Sequence, residues 1–167
     1  FSDLQPANHP YVQTSEEYQQ TFGGANVVTL MVQVDEGDIF RREVLEIVQR
    51  ITKDLQHVDA VNQFQITSLA SKKIKSVQAS STVYGQYVSK DLTAALITVD
   101  FIDRLLNYDK AYPQIQKIID EVEVEGVEVK VVGQPILVGL IINYLSETLK
   151  IVGMIIGVIA LILLVTE

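Results

Sequence analysis

The sequence has no cysteine and no tryptophan, and only two histidines and four prolines. Without cysteine there is no disulfide framework, no thiolate metal site and no cysteine nucleophile. His9 and His57 lie 48 positions apart, which leaves little material for a zinc site or a histidine-based triad. Positive charge is also scarce. Thirteen Lys and Arg face twenty-one Asp and Glu, for a net charge of -8. A surface of that sign repels phosphate, so nucleic acid is excluded as a partner. Disorder is excluded as well, because 48% of the 167 residues are hydrophobic, ample for one packed domain.

The mean hydropathy of +0.24 is high, and the excess sits at the C-terminus. Ile151 to Val165 carries no charge. Alone it spans ~22 Å, short of the ~30 Å hydrocarbon core of a bilayer. Ile136 to Tyr144 is also mainly apolar, and no proline interrupts the chain between them. The pattern predicts one long helix over 135–167, embedded in a membrane from about residue 151. A core helix is the alternative, but the last fifteen residues are apolar on every side and not on one face. The apolar run ends two residues before Glu167, and we read the chain as a segment of a larger membrane protein.

Residues 1–150 hold all the basic residues and all the acids but Glu167. The first 25 residues, punctuated by Pro6, Pro10 and Gly23-Gly24, read as a linker with a short helix capped by Thr14 or Ser15 and ending near Phe22. Asn26–Val34 is apolar on both faces of a strand, which places it in the middle of a sheet. Asp38 can cap a helix in which Phe40, Val44, Ile47, Val48, Ile51 and Leu55 point inward. Val61–Ser68 is a more polar, outer strand. Leu92–Phe101 again has two apolar faces, so Met31, Ala95 and Ile97 call for cover by a neighbouring domain or subunit. A helix follows within Asn107–Glu123, with Asp109 as its cap and Pro113 near its first turn. Gly126 ends it, and Val127–Val132 alternates as an outer strand.

The predicted fold is therefore α+β, a β-α-β-β-α-β order over residues 26–134. This is the ferredoxin-like split β-α-β arrangement, with four strands, the first and third central and parallel, and two helices on one face.

Chemistry-bearing motifs are lacking. Gly23-Gly24 has neither the Lys-Ser/Thr of a phosphate loop nor a preceding strand. Asp35, Glu36 and Asp38 lack the spacing of a calcium loop and read as a turn with a helix cap. The acids Asp120, Glu121, Glu123, Glu125 and Glu128 read as a solvated helix end, and His57 as a partner for a helix C-terminus. The sequence implies no catalytic residue, no metal and no cofactor. One pattern stands out in the long helix. Gly139, Asn143, Ser146, Lys150, Gly153 and Gly157 are spaced 4, 3, 4, 3 and 4. They form one stripe, polar above and small below, among Ile, Leu and Val. Such a stripe lets another helix approach closely while the opposite face meets lipid.

In order along the chain, DLQPANHPYV, TFGGANVVTLMVQV and DIFRREVLEIVQRITKDLQHVDAVNQFQITSL resemble the first periplasmic loop of RND-superfamily exporters, particularly the MMPL-type branch. YGQYVSKDLTAALITVDF resembles the start of the second half of that porter subdomain. VKVVGQPILVGLI resembles the strand, Gly-x-Pro turn and helix leading into the second transmembrane helix. The resemblance covers nearly the whole chain. It implies a bacterial inner-membrane protein with about twelve membrane helices in two related halves, driven by the proton gradient through acidic groups outside this segment. It also implies hydrophobic or lipid-like cargo, and as partners membrane lipid, a second-half porter domain and other membrane helices of the same protein. Relatives often carry more chain between the second and third porter strands than the stretch Leu69 to Lys90 provides here. The sequence leaves two other classes open: a membrane-anchored extracytoplasmic sensor or ligand-binding domain, and an assembly domain of another membrane complex.

Overall fold

The computed structural model describes residues 26–71, 86–122 and 124–166. The helix expected near Thr14–Phe22 lies outside them, as does most of the Leu69 to Lys90 connection. The described elements are β1 (Val27–Val34), α1 (Arg42–Leu55), β2 (Ala94–Asp100), α2 (Tyr108–Asp120), β3 (Val127–Gly133) and α3 (Gln134–Thr166). The chain is α+β and ends in one long apolar helix.

The sheet has three strands in the order β2-β1-β3. β1 is central, as its sequence predicts. Both of its neighbours run antiparallel to it, with Leu30 opposite Ile97 on one side and Val131 on the other. This corrects the expectation that the two central strands are parallel. β2 and β3 are instead parallel to each other with β1 between them, and α2 makes the crossover.

β2 ends the three-stranded ladder, although its sequence predicts a central place. Its outer edge is hydrogen-bonded by irregular chain. The expected strand Val61–Ser68 touches it through two antiparallel bridges, Val61 to Phe101 and Thr67 to Thr98. Between them a 3-10 turn at Gln63–Gln65 bulges away. The Asn62 amide donates to Asp100 O and the Thr67 amide to Thr98 O. Five steps on one side thus oppose two on the other, so no continuous ladder can form. The turn has a local cause: the Asn62 side chain accepts from the Phe64 amide at 3.2 Å, which favours a turn over extension. A further bridge from Val88 to Ala95 closes the same edge.

One face of the sheet is fully covered. Val28, Leu30, Val32 and Val34 of β1, with Ala95, Ile97 and Val99 of β2, pack beneath Val44, Val48, Ile51 and Leu55 of α1 and Ala111, Ile115 and Ile118 of α2. Each large side chain buried this way contributes about 1.5–3 kcal/mol. The opposite face is only half-buried. Its register rows are Leu96–Met31–Lys130 and Thr98–Thr29–Val132. Within the chain, β1 and β2 are therefore buried on one face and half-buried on the other, not buried on both. Ala95 and Ile97 belong to the covered face; Ala94 and Leu96 point to the half-buried one.

Four local expectations are also corrected. Phe40 precedes α1 and is 39% exposed, while its neighbour Ile39 fills the core position. Asp38 accepts from the Phe40 amide at 2.8 Å, organising the turn before α1 without capping it. The cap of α2 is Asn107, which accepts from the Asp109 amide at 3.0 Å; Asp109 is already inside the helix. Pro113 sits deeper than its first turn and stays on the exposed side.

Candidate functional site

The feature that carries function is the passage from sheet to long helix. At Gly133 the backbone takes φ +151°, and a Cβ there would lie 2.5 Å from Val27 O. Only glycine permits that approach. Pro135 follows in the first turn of α3, where its missing N–H costs nothing. Ile136 is then buried to 8% exposure and anchors the helix to the core.

One turn on, Gly139 meets α2. A Cβ at this position would lie within van der Waals overlap of Tyr112 Cβ and 2.7 Å from Tyr108 O. The glycine is thus a contact surface for α2. Asn143 turns back along the helix, its Nδ2 donating to Gly139 O at 2.9 Å. From Tyr144 to Leu164 every residue of α3 is exposed. Thr148 Oγ1 donates to Tyr144 O at 2.8 Å, which hides its hydroxyl from an apolar medium.

The stripe seen in the sequence divides at this point. Gly139 and Asn143 lie where α3 docks on its own domain. Ser146 and Lys150 are exposed. A Cβ added at Gly153 or Gly157 would have no atom within 4 Å.

Beside the docking point lies a polar group that the sequence does not announce. Tyr108 donates its hydroxyl to Asn26 Oδ1 at 3.1 Å, and Asn26 Nδ2 donates to Asp103 Oδ1 at 2.7 Å. Burial, and then the Asp103 carboxylate, push the Tyr108 phenol above its ordinary pKa; the Asn26 hydrogen bond opposes them. Tyr108 and Tyr112 are four residues apart on α2, so one tyrosine faces the start of β1 while the next meets α3. That i, i+4 pair opposite a helical glycine is the only sequence signal of the arrangement.

Among the described residues, no group of three His, Cys, Asp or Glu could hold a metal ion. His57 follows the end of α1, with Nδ1 3.0 Å from Lys53 O, the helix-end role expected from sequence.

The docked helix is long and apolar enough to cross a membrane. Gln134–Leu164 covers 31 residues with a mean hydropathy of 2.3 in its most apolar stretch, none of which is buried. At 1.5 Å per residue it spans ~46 Å, more than a hydrocarbon core needs. The sequence profile of the MMPL family matches residues 3–166. The chain belongs to the MMPL family. Members of that family are transporters, not enzymes. A search of curated proteins gave no match. MMPL membership, with the membrane-length helix, makes this part of an inner-membrane protein that carries an extracytoplasmic domain. It also accounts for an apolar helix joined directly to an α+β domain.

Proposed function

We propose that residues 26–134 are a periplasmic porter subdomain, ferredoxin-like in plan, of a proton-driven RND/MMPL exporter that moves hydrophobic or lipid-like cargo. Residues 1–25 lead into it from a preceding membrane helix, and α3 continues from it as the second. The observation that carries this reading is the unbroken course of α3, from its contacts with α2 to its exposed apolar length. A rigid α/β body fixed to a membrane helix transmits rotation or tilt well. No residue of the domain performs chemistry; proton-coupled motion arrives through α3. The half-buried sheet face, with Met31, Leu96 and Val132 among polar neighbours, receives the counterpart porter domain. Opening and closing of the cleft between the two passes cargo onward.

Cross-linking this domain to its counterpart in the intact protein tests the proposal. Transport should stop while the protein stays folded, and reduction of the cross-link should restore it. Unimpaired transport in a fully cross-linked sample would overturn it.

A further inference from the structure

The two glycines flanking Pro135 and the two tyrosines of α2 close a loop of contacts. Gly133 lies against Val27 and Val28 at the start of β1. Six residues later Gly139 lies against Tyr108 and Tyr112 of α2. Tyr108 then returns to Asn26, the residue before β1. Asn26 is itself held by two further bonds, one to Asp103 and one from the Phe101 amide to its carbonyl at 3.1 Å. The first turns of α3 are thus fixed at two separated points, and both lead to the same end of β1.

Resting on the porter reading, we infer that this triangle is a coupling joint in which Gly139 and Tyr112 are positioning residues: they transmit displacement of the membrane helix to the central strand. A helix held at a single point pivots about it. A helix held at Gly133 and again at Gly139 cannot pivot without parting from α2 or from β1. Close-packed contacts shift between discrete arrangements and deform little, so tilt of α3 is passed to the domain as a body. Beyond Asn143 the helix is exposed and runs on without a break to Thr166, so it acts as a lever on the joint.

The test uses the full-length transporter in proteoliposomes, with spin labels at Lys53→Cys on α1 and on the counterpart porter domain. The distance between them is measured with and without an imposed proton gradient, so no cargo is needed. Gly139→Ala and Tyr112→Ala are introduced separately. Leu137→Ala, at an exposed position of the same turns, is the control. Each joint variant should shrink the gradient-dependent displacement by roughly threefold to tenfold. Tyr112→Ala should leave the folded fraction and the distance in the absence of the gradient unchanged, whereas Gly139→Ala, whose added Cβ must displace Tyr112, should also lower stability. Leu137→Ala should leave the displacement intact. If Gly139→Ala does not fold, Tyr112→Ala decides, because it removes bulk without creating overlap. Full displacement in the joint variants, or an equal loss in Leu137→Ala, overturns the inference. A wild-type domain that does not move with the gradient overturns the porter reading and this inference together, and it needs no variant to be seen.

Discussion

At Gly133 and Gly126 the backbone is left-handed, but their surroundings differ. A Cβ at Gly133 would collide with Val27 O, whereas one at Gly126, where φ is +78°, would meet nothing within 4 Å. Gly126→Ala should therefore cost only the backbone term, about 1 kcal/mol. Gly133→Ala adds the collision and should cost about 3 kcal/mol. Chemical unfolding followed by circular dichroism separates the two. The reverse change has its place at Ala60, whose φ is 64°. Ala60→Gly should stabilise by about 0.5–1 kcal/mol in the same assay. Tyr108 makes a prediction in pH. Its folded-state pKa lies above its ordinary value of 10.0. The linked stability is thus present below that value and lost as pH rises through the folded pKa. Difference titration of tyrosinate absorbance between wild type and Tyr108→Phe should show a phenol titrating above that value; one at or below it contradicts the assignment. The sequence showed that Gly133-Gln134-Pro135 links a strand to a helix. It did not show that Gly139 faces Tyr112, because that contact joins positions 27 apart in the chain.

Elements whose periodicity is strong agree with the sequence pattern, and those decided by local hydrogen bonds do not. Val44, Ile47, Val48, Ile51 and Leu55 line the inner side of α1 as the helical spacing implies. Val61–Ser68 has strand-like alternation, yet Asn62 diverts it into a 3-10 turn. Two-sided apolarity correctly placed β1 in the centre. It failed for β2 as a strand count, since the bonds that cover its outer edge come from Asn62, Thr67, Tyr87 and Ser89 in irregular chain. α2 begins one residue after Asn107, and Asn107→Ala should cost about 1 kcal/mol of stability by loss of the cap. For α3 the distinction lies between its two small-residue regions. Gly139 is occupied by α2, while the space beside Gly153 and Gly157 is open. If the lower stripe packs on another membrane helix of the same transporter, Gly153→Leu and Gly157→Leu should lower activity in the intact protein. Ile159→Leu should be mild, because it keeps bulk on the lipid side. Equal tolerance at the glycines and at Ile159 would remove the stripe as a packing seam.

Over the whole molecule, charge and apolarity are separated along the chain, and the residue order alone makes that division legible. Residues 1–133 hold nineteen of the acids and twelve of the bases, and so most of the net -8, whereas the uncharged stretch Ile151–Val165 lies in α3. What the sequence could not supply is how firmly the two are joined, because that depends on contacts among β1, α2 and α3. The central claim is that domain and helix move as one body against a counterpart. Two distances in the full-length protein test it most directly, read by paired spin labels with and without a proton gradient. One runs within this chain, from Lys53→Cys on α1 to Asn143→Cys at the end of the docked turns of α3. The other runs from Lys53→Cys to the counterpart porter domain. The first should stay constant while the second shifts. A first distance that changes while the second stays fixed would show that the helix slides past its own domain, and would contradict the claim.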